Sequence, residues 1–203
     1  MALKVAVIGC AGRMGQMLVR TAAASDCCLV VGGSERVGAS VVGKDIGLVA
    51  GIDPLGVEVT SDPAGLFAAA DAVLEFTSPA ATVQHVELAA KRKKIHVIGT
   101  TGFEPAQLAA LNRAARHTAI VLAPSMSVGV TLLMQMVRQV ARVLDPEWDI
   151  EIVEMHHRHK VDAPSGTALA LGRAVAKGRG VALDDVARRS RDGNVGARPK
   201  GEI

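Results

Sequence analysis

An α/β fold, with a doubly wound parallel sheet followed by a second, mixed α+β domain, is what the sequence predicts, on three observations. Short β-branched runs alternate with Ala- and Leu-rich helical stretches through the first two thirds of the chain. Glycines cluster where the first strand hands over to the first helix. Beyond Pro146 the pattern changes to an alternation of apolar and polar residues, which suits a strand with one wet face.

The expected strands are Leu3 to Ile8, Cys28 to Gly32, Val57 to Thr60, Ala72 to Glu75, His96 to Ile98 and Ala119 to Leu122. The expected helices between them run Gly12 to Ala24, Pro63 to Ala70, Pro79 to Lys93 and Pro105 to His117. Right-handed crossovers place such helices on both faces of the sheet. The Gly-rich stretch Val37 to Gly56 lacks a period and reads as a long, mobile surface loop. Val130, Leu133, Met134, Val137 and Val140 mark a further helix, and Met126, Met134 and Met136 are expected to pack around it. Asp149 to His156 is expected to open the second domain's sheet, and the tail from Arg188 to be poorly anchored. The domain boundary falls at 127/128, giving a dinucleotide-binding domain of residues 1–127 and a substrate domain of residues 128–203.

Composition narrows the partners. A net charge of +3, with three Phe, one Trp and no Tyr, leaves few flat side chains for base stacking, so nucleic acid is not expected as a partner. No apolar run approaches the roughly 20 residues that span a bilayer, so no membrane association is expected and the cytoplasm is the default location. Cys10, Cys27 and Cys28 suggest no disulfide framework and read as small apolar fillers. The run Lys91 to Lys94 lies at the end of an expected helix, where cations complement the helix dipole.

Gly9, Gly12 and Gly15 form a G-x-x-G-x-x-G turn between strand and helix, where backbone N–H groups and the helix dipole can receive a pyrophosphate. Any tight strand-to-helix turn can also use glycines, so context matters. Glu35 follows Gly15 by 20 residues and can accept hydrogen bonds from ribose hydroxyls, while Arg36 beside it can pair with a 2′-phosphate. Together they suggest tolerance of both NADH and NADPH. The polar turns Phe76-Thr77-Ser78-Pro79 and Gly99-Thr100-Thr101-Gly102 end two further strands, where open sheets bind ligands, although each also reads as ordinary turn and capping chemistry.

The densest chemistry lies in Glu154-Met155-His156-His157-Arg158-His159-Lys160-Val161-Asp162-Ala163-Pro164-Ser165-Gly166-Thr167. Its cations precede a Ser-Gly-Thr helix start, an arrangement suited to a small dicarboxylate. On a strand His156 and Arg158 would face one way, and His157 and His159 the other. A metal site is disfavoured, because no Cys or carboxylate falls at a matching interval and Arg158 and Lys160 would repel a cation. A solvated basic strand edge is the plainer alternative. Asp162 either orients Lys160 or makes a turn before Pro164.

The G-C-A-G-R-M-G turn, E-R, G-T-T-G-F and H-H-R-H-K-V-D-A-P-S-G-T occur together and in this order, and with them the chain resembles the dihydrodipicolinate reductase family. The resemblance runs over nearly the whole chain, and the last motif is its most specific part. It implies a Rossmann-type domain joined to a mixed α/β substrate domain, usually assembled as a homotetramer. It implies NADH or NADPH as cofactor, a cyclic imine dicarboxylate as substrate, a place in diaminopimelate and lysine biosynthesis, and no metal. On it, His156 is the acid/base residue, His157 a substrate contact and Lys160 a proton donor or substrate anchor, while Gly166 and Thr167 hold a substrate carboxylate. Gly9, Cys10, Ala11, Gly12, Arg13, Met14, Glu35, Arg36, Gly99, Thr100, Thr101, Ala123, Pro124, Ser125 and Met126 line the cofactor.

Two features depart from the family. Ser125 stands where Asn is usual, and the chain ends at Ile203, earlier than family members usually do, which implies a C-terminally incomplete substrate domain. A non-catalytic nucleotide-binding fragment, or another Rossmann dehydrogenase of amino-acid precursors, are the rival readings; substrate-induced stabilisation and a substrate panel separate them.

Overall fold

The computed structural model describes residues 2–158, 160 and 162–203. The chain divides into two compact units, Met1–Ala123 and Pro124–Ile203.

The first unit is built on a six-stranded parallel sheet. Its strands are β1 (Leu3–Ile8), β2 (Cys28–Ser34), β3 (Val59–Thr60), β4 (Ala72–Glu75), β5 (Ile95–Ile98) and β6 (Ile120–Leu122), in the spatial order β3-β2-β1-β4-β5-β6. That is the Rossmann order, with its topological switch point between β1 and β4, so the α/β expectation holds. The connecting helices are α1 (Arg13–Ala23), α2 (Ile46–Ala50), α3 (Pro63–Ala69), α4 (Pro79–Arg92) and α5 (Pro105–Ala114).

The pleat explains how one strand serves two cores. Successive side chains of β1 point to opposite faces, so Val5 and Val7 pack with Val19, Val30, Ile46 and Val59, whereas Ala6 and Ile8 pack with Leu66, Phe67 and Val73. Phe67 is wholly buried, and its burial stabilises by roughly 2–3 kcal/mol. A third cluster joins Val86 of α4 and Leu111 and Ala114 of α5 to Ile98.

Helix starts follow from local chemistry. Pro63 and Pro79 occupy the first turns of α3 and α4, where their missing N–H is no loss, and Asp62 and Ser78 accept hydrogen bonds from Ala64 and Ala81. Lys91 and Arg92 lie in the last turn of α4, where they complement the dipole.

The stretch Val37 to Gly56 is not the unstructured loop expected from its glycines. It contains α2, whose Ile46 and Ala50 are fully buried. The Asp45 carboxylate organises it, accepting N–H groups from Gly47, Leu48, Leu55, Gly56 and Val57. Burial works against that charge, but the amides from Leu55, Leu48, Gly56 and Gly47 outweigh it and hold the carboxyl below its ordinary range. Glu58 pairs with Asp45 in an antiparallel bridge, and β3 covers Val59–Thr60 rather than the expected Val57 to Thr60.

The second unit contains α6 (Val128–Val143), α7 (Gly166–Arg179) and α8 (Leu183–Val186). Helices α6 and α7 approach closely because Gly178 faces the α6 backbone: a Cβ there would stand 2.4 Å from the Arg138 carbonyl oxygen. Three expectations fail here. Asp149 to His156 forms no strand, since a strand exists only when its backbone groups find a ladder partner, and none lies among the described residues. Met126 and Met136 are 43% and 55% exposed rather than packed. The tail from Arg188 is tied down. Its N–H donates to the Ile203 carbonyl at 2.9 Å, its guanidinium pairs with Glu202, and Arg198 donates to the carbonyls of Ile150 and Glu202.

Candidate active site

The site-bearing segments fall in both units. In the first, β1 ends at Ile8 and the chain turns through Gly9, which has φ +75°, into α1. Gly15 lies in the first turn of α1, where a Cβ would stand 2.0 Å from the Gly9 carbonyl oxygen and 2.7 Å from Cys10 Cα. Only glycine allows helix and turn to approach this closely. The helix start itself is unlike its neighbours. Side chains cap α2, α3 and α4, whereas Gly12 offers α1 no side-chain cap. Its first-turn N–H groups are left for a ligand or solvent.

Cys10 contributes only main chain to this turn. Its side chain is fully buried, and burial, then the Glu35 charge, pushes the thiol up to about 12, so it remains a neutral filler. Cys27, by contrast, is exposed, which corrects the filler reading for that residue. Glu35 follows β2, and its Oε1 accepts the Ala11 N–H at 2.9 Å. That contact ties the acidic residue to the glycine turn. Arg13, Met14 and Arg36 are exposed around it.

The turns after β4 and β5 come together. Thr77 donates its N–H to Thr100 Oγ1 at 3.0 Å, and its methyl group abuts the glycine turn, since a Cβ on Gly9 would meet Thr77 Cγ2 at 2.9 Å. Gly99 and Thr101 flank the buried Thr100. Beneath them Glu75, at the end of β4, binds both His85 Nδ1 and His96 Nε2 at 2.8 Å. No spacing in the sequence pointed to this cluster, because its members come from β4, α4 and β5. Of the run Ala123 to Met126, expected to line the cofactor, Ala123 ends the first unit while Pro124, Ser125 and Met126 open the second.

In the second unit, the segment leading to α7 is held by Glu154. Its Oε2 pairs with His156 Nε2 at 2.9 Å, and its Oε1 accepts the Ser165 N–H at 2.8 Å. Hydrogen bonds from His156 and Ser165 hold the Glu154 carboxyl at about 2, so it is ionised at neutral pH. Ser165 in turn caps α7, accepting the Ala168 N–H at 3.0 Å, and Gly166 and Thr167 form the first turn of that helix. Lys160 donates from Nζ to Asp162 Oδ1 at 2.6 Å, which selects the orienting role for Asp162. His157 and Arg158 are exposed; His159 and Val161 lie outside the described residues, and with them the His159 half of the expected alternation. Glu154 belonged to the singled-out stretch without a role. Its signal was the i, i+2 spacing to His156 in a segment that leads into a helix start.

The chain matches two family models in order, "Dihydrodipicolinate reductase, N-terminus" over residues 3–126 and "Dihydrodipicolinate reductase, C-terminus" over residues 129–203. It is 56% identical over 199 residues to the 4-hydroxy-tetrahydrodipicolinate reductase of Dinoroseobacter shibae, covering 98% of this chain and 74% of that protein. To the enzyme of the same name from Parvibaculum lavamentivorans it is 52% identical over 202 residues, covering 99% of this chain and 74% of the relative. Its structure is similar to that of the dipicolinate-bound dihydrodipicolinate reductase of Paenisporosarcina sp. TG-14, with a TM-score of 0.69 and 30% identity over 88% of this chain and 67% of that one. Relatives and family models agree over nearly the whole chain: it belongs to the dihydrodipicolinate reductase family.

Proposed function

We propose that the chain is an oxidoreductase that reduces 4-hydroxy-tetrahydrodipicolinate to tetrahydrodipicolinate with loss of water, using NADH or NADPH, in lysine biosynthesis through diaminopimelate. Residues 1–127 hold the dinucleotide and residues 128–203 the substrate. The observation that carries this reading is the Glu154–His156 pair anchored on the capped start of α7. It sits in a family member that also has an uncapped helix start behind a glycine turn.

The first unit fits a dinucleotide. The Arg13 and Met14 amides at the start of α1, with the Arg13 side chain, face a pyrophosphate; Glu35 and Arg36 receive the adenosine ribose; and Gly9 to Met14 and Gly99 to Thr101 line the remainder. NADH or NADPH supplies the hydride when bound.

This chain's residues supply the rest. The ionised Glu154 accepts Nε2–H of His156, so in the imidazolium form of the ring Nδ1–H is the proton presented to the substrate, leaving a neutral imidazole after transfer. Asp162 positions the Lys160 ammonium, which offsets substrate charge and gives a second donor. His157 contacts the substrate, and the Gly166 and Thr167 amides at the start of α7 receive a carboxylate.

The test is NADH oxidation with freshly generated substrate. A folded protein that binds NADH without turnover counts against the assignment. His156→Ala should lower turnover by about 10²-fold or more with NADH affinity retained; a loss confined to NADH affinity contradicts its role. Cytoplasmic location and a homotetramer complete the proposal. The exposed apolar residues of α6, among them Leu132, Met136 and Val140, support association, and sedimentation of the protein checks it.

A further inference from the structure

Glu75, His85 and His96 are 0, 8 and 0% exposed, and the reaction as described above uses none of them. A carboxylate in that position is tolerated only if its oxygens are fully engaged. They are: Oε1 accepts from His85 Nδ1, from Thr82 Oγ1 at 3.0 Å and from Thr77 Oγ1, and Oε2 accepts from His96 Nε2. His96 Nδ1 has no partner among the described residues, and its ring stands edge-on to Phe67 at 5.3 Å. The cluster is thus seated on the hydrophobic core, and its threonines connect it to the turns after β4 and β5.

A threonine chain links that carboxylate to both turns. Thr82 Oγ1 is the donor toward Glu75 Oε1 at 3.0 Å and toward Thr100 Oγ1 at 3.1 Å, its one hydrogen shared between the ionised carboxylate and the hydroxyl. Thr100 Oγ1 also accepts the Thr77 N–H at 3.0 Å. One buried carboxylate therefore sets the orientation of two turns, those after β4 and β5, beside the switch point of the sheet. Thr77 is held at both Oγ1 and N, and its methyl group fills the space that Gly9 leaves open.

We propose that Glu75, Thr82, His85 and His96 are positioning residues for the dinucleotide, holding the Thr77 and Gly99–Thr101 turns against the glycine turn in the geometry that receives it. The proposal rests on the reading of those turns as the NADH or NADPH site. The cluster touches no ligand itself; it acts by keeping the pocket wall preorganised, so that binding carries no reordering penalty.

The experiment uses the whole chain, titrated with NADH and assayed for KM and kcat. Thr82→Val cuts the link between Glu75 and Thr100 while keeping the side-chain shape. It should raise the Kd and KM for NADH by about tenfold, with kcat within about twofold, and Thr82→Ser should restore binding. If Thr82→Val does not fold, Thr77→Val, which keeps the methyl group against Gly9 and removes only the hydroxyl, should weaken NADH by a similar factor. Variants that melt earlier yet bind NADH like the parent overturn the positioning role and leave a cluster that supports the fold alone. A parent that fails to bind NADH removes the dinucleotide reading and the proposal with it; a parent that binds, with unaffected variants, removes the proposal only.

Discussion

The two units bury their apolar residues differently. In the first, β1 sends alternate side chains into two separate clusters, and helices cover both. In the second, Ala141, Val175 and Ala176 are the buried hydrophobic residues among those described, while Val128, Leu132, Met136, Val143 and Trp148 are each more than half exposed. Two open cavities of about 510 and 470 Å³ lie within this unit. The contrast assigns the units different means of holding a functional group. The first unit fixes its turns by core packing and a buried charge, and the second fixes His156 by hydrogen bonds around one half-exposed carboxylate and a helix cap. Local stability should follow, with amides of β1, β4 and β5 exchanging more slowly than those of α6.

Acid sharpens this comparison most. For Glu75, burial raises the pKa, but hydrogen bonds from His85 and His96 outweigh it and bring the carboxyl from 4.5 to about 2. Because the folded value lies below the unfolded one, the unfolded chain binds more protons between them; the stabilisation is complete above pH 4.5 and is lost as pH falls toward 2. The effect is on the order of 3 kcal/mol. Glu154 is lowered into the same window, but its side chain is 27% exposed and its contribution is correspondingly screened. Protection of β4 and β5 amides, taken relative to the intrinsic exchange rate at each pH, should therefore fall steeply from pH 5 to pH 2 in the parent. In Glu75→Gln protection should be lower at pH 7 but change little with acid. A variant that keeps the parent's slope would assign the acid response to other carboxylates.

A smaller effect comes from backbone approach. Gly15→Ala places a methyl group 2.0 Å from a carbonyl oxygen that belongs to the turn itself, so relief requires the main chain to move. The expected loss is about 2 kcal/mol in the first unit, with NADH affinity down by 100-fold or more and exchange in α7 unchanged. Wild-type NADH affinity in this variant would show that the turn does not hold the dinucleotide.

How much of this was legible depends on whether the cause is local. The strands β1 and β4 occur at their expected residues, because a short β-branched run between turn residues is a local pattern, and the glycine turn with Glu35 behind it was visible for the same reason. Helix α2 was hidden by glycines, although Asp45 before Ile46 and Gly51 after Ala50, at φ +75°, are start and stop signals that bracket it. Glu75, His85 and His96 could not be linked by spacing, since only the parallel register of β4 with β5 and the return of α4 bring them together. The segment Asp149 to His156 shows the opposite failure. Its alternation is local and real, but a ladder needs a partner, and alternation alone does not supply one.

The smallest expected effect probes the second unit's device directly. Ser165 serves in three ways: its N–H and its hydroxyl both donate to Glu154, and its Oγ caps α7 by accepting the Ala168 N–H. Ser165→Ala removes the cap and the hydroxyl donor to Glu154 but keeps the amide, so it should lower the stability of α7 by about 1 kcal/mol while the amide and His156 still hold the Glu154 carboxylate. Exchange of the first-turn amides of α7 should rise while β1 is unaffected, and turnover should change little. If turnover instead falls as far as in His156→Ala, the rigidity of the helix start, rather than the carboxylate, is what holds the histidine. The second unit would then resemble the first, with its functional group set by a structural element packed behind it.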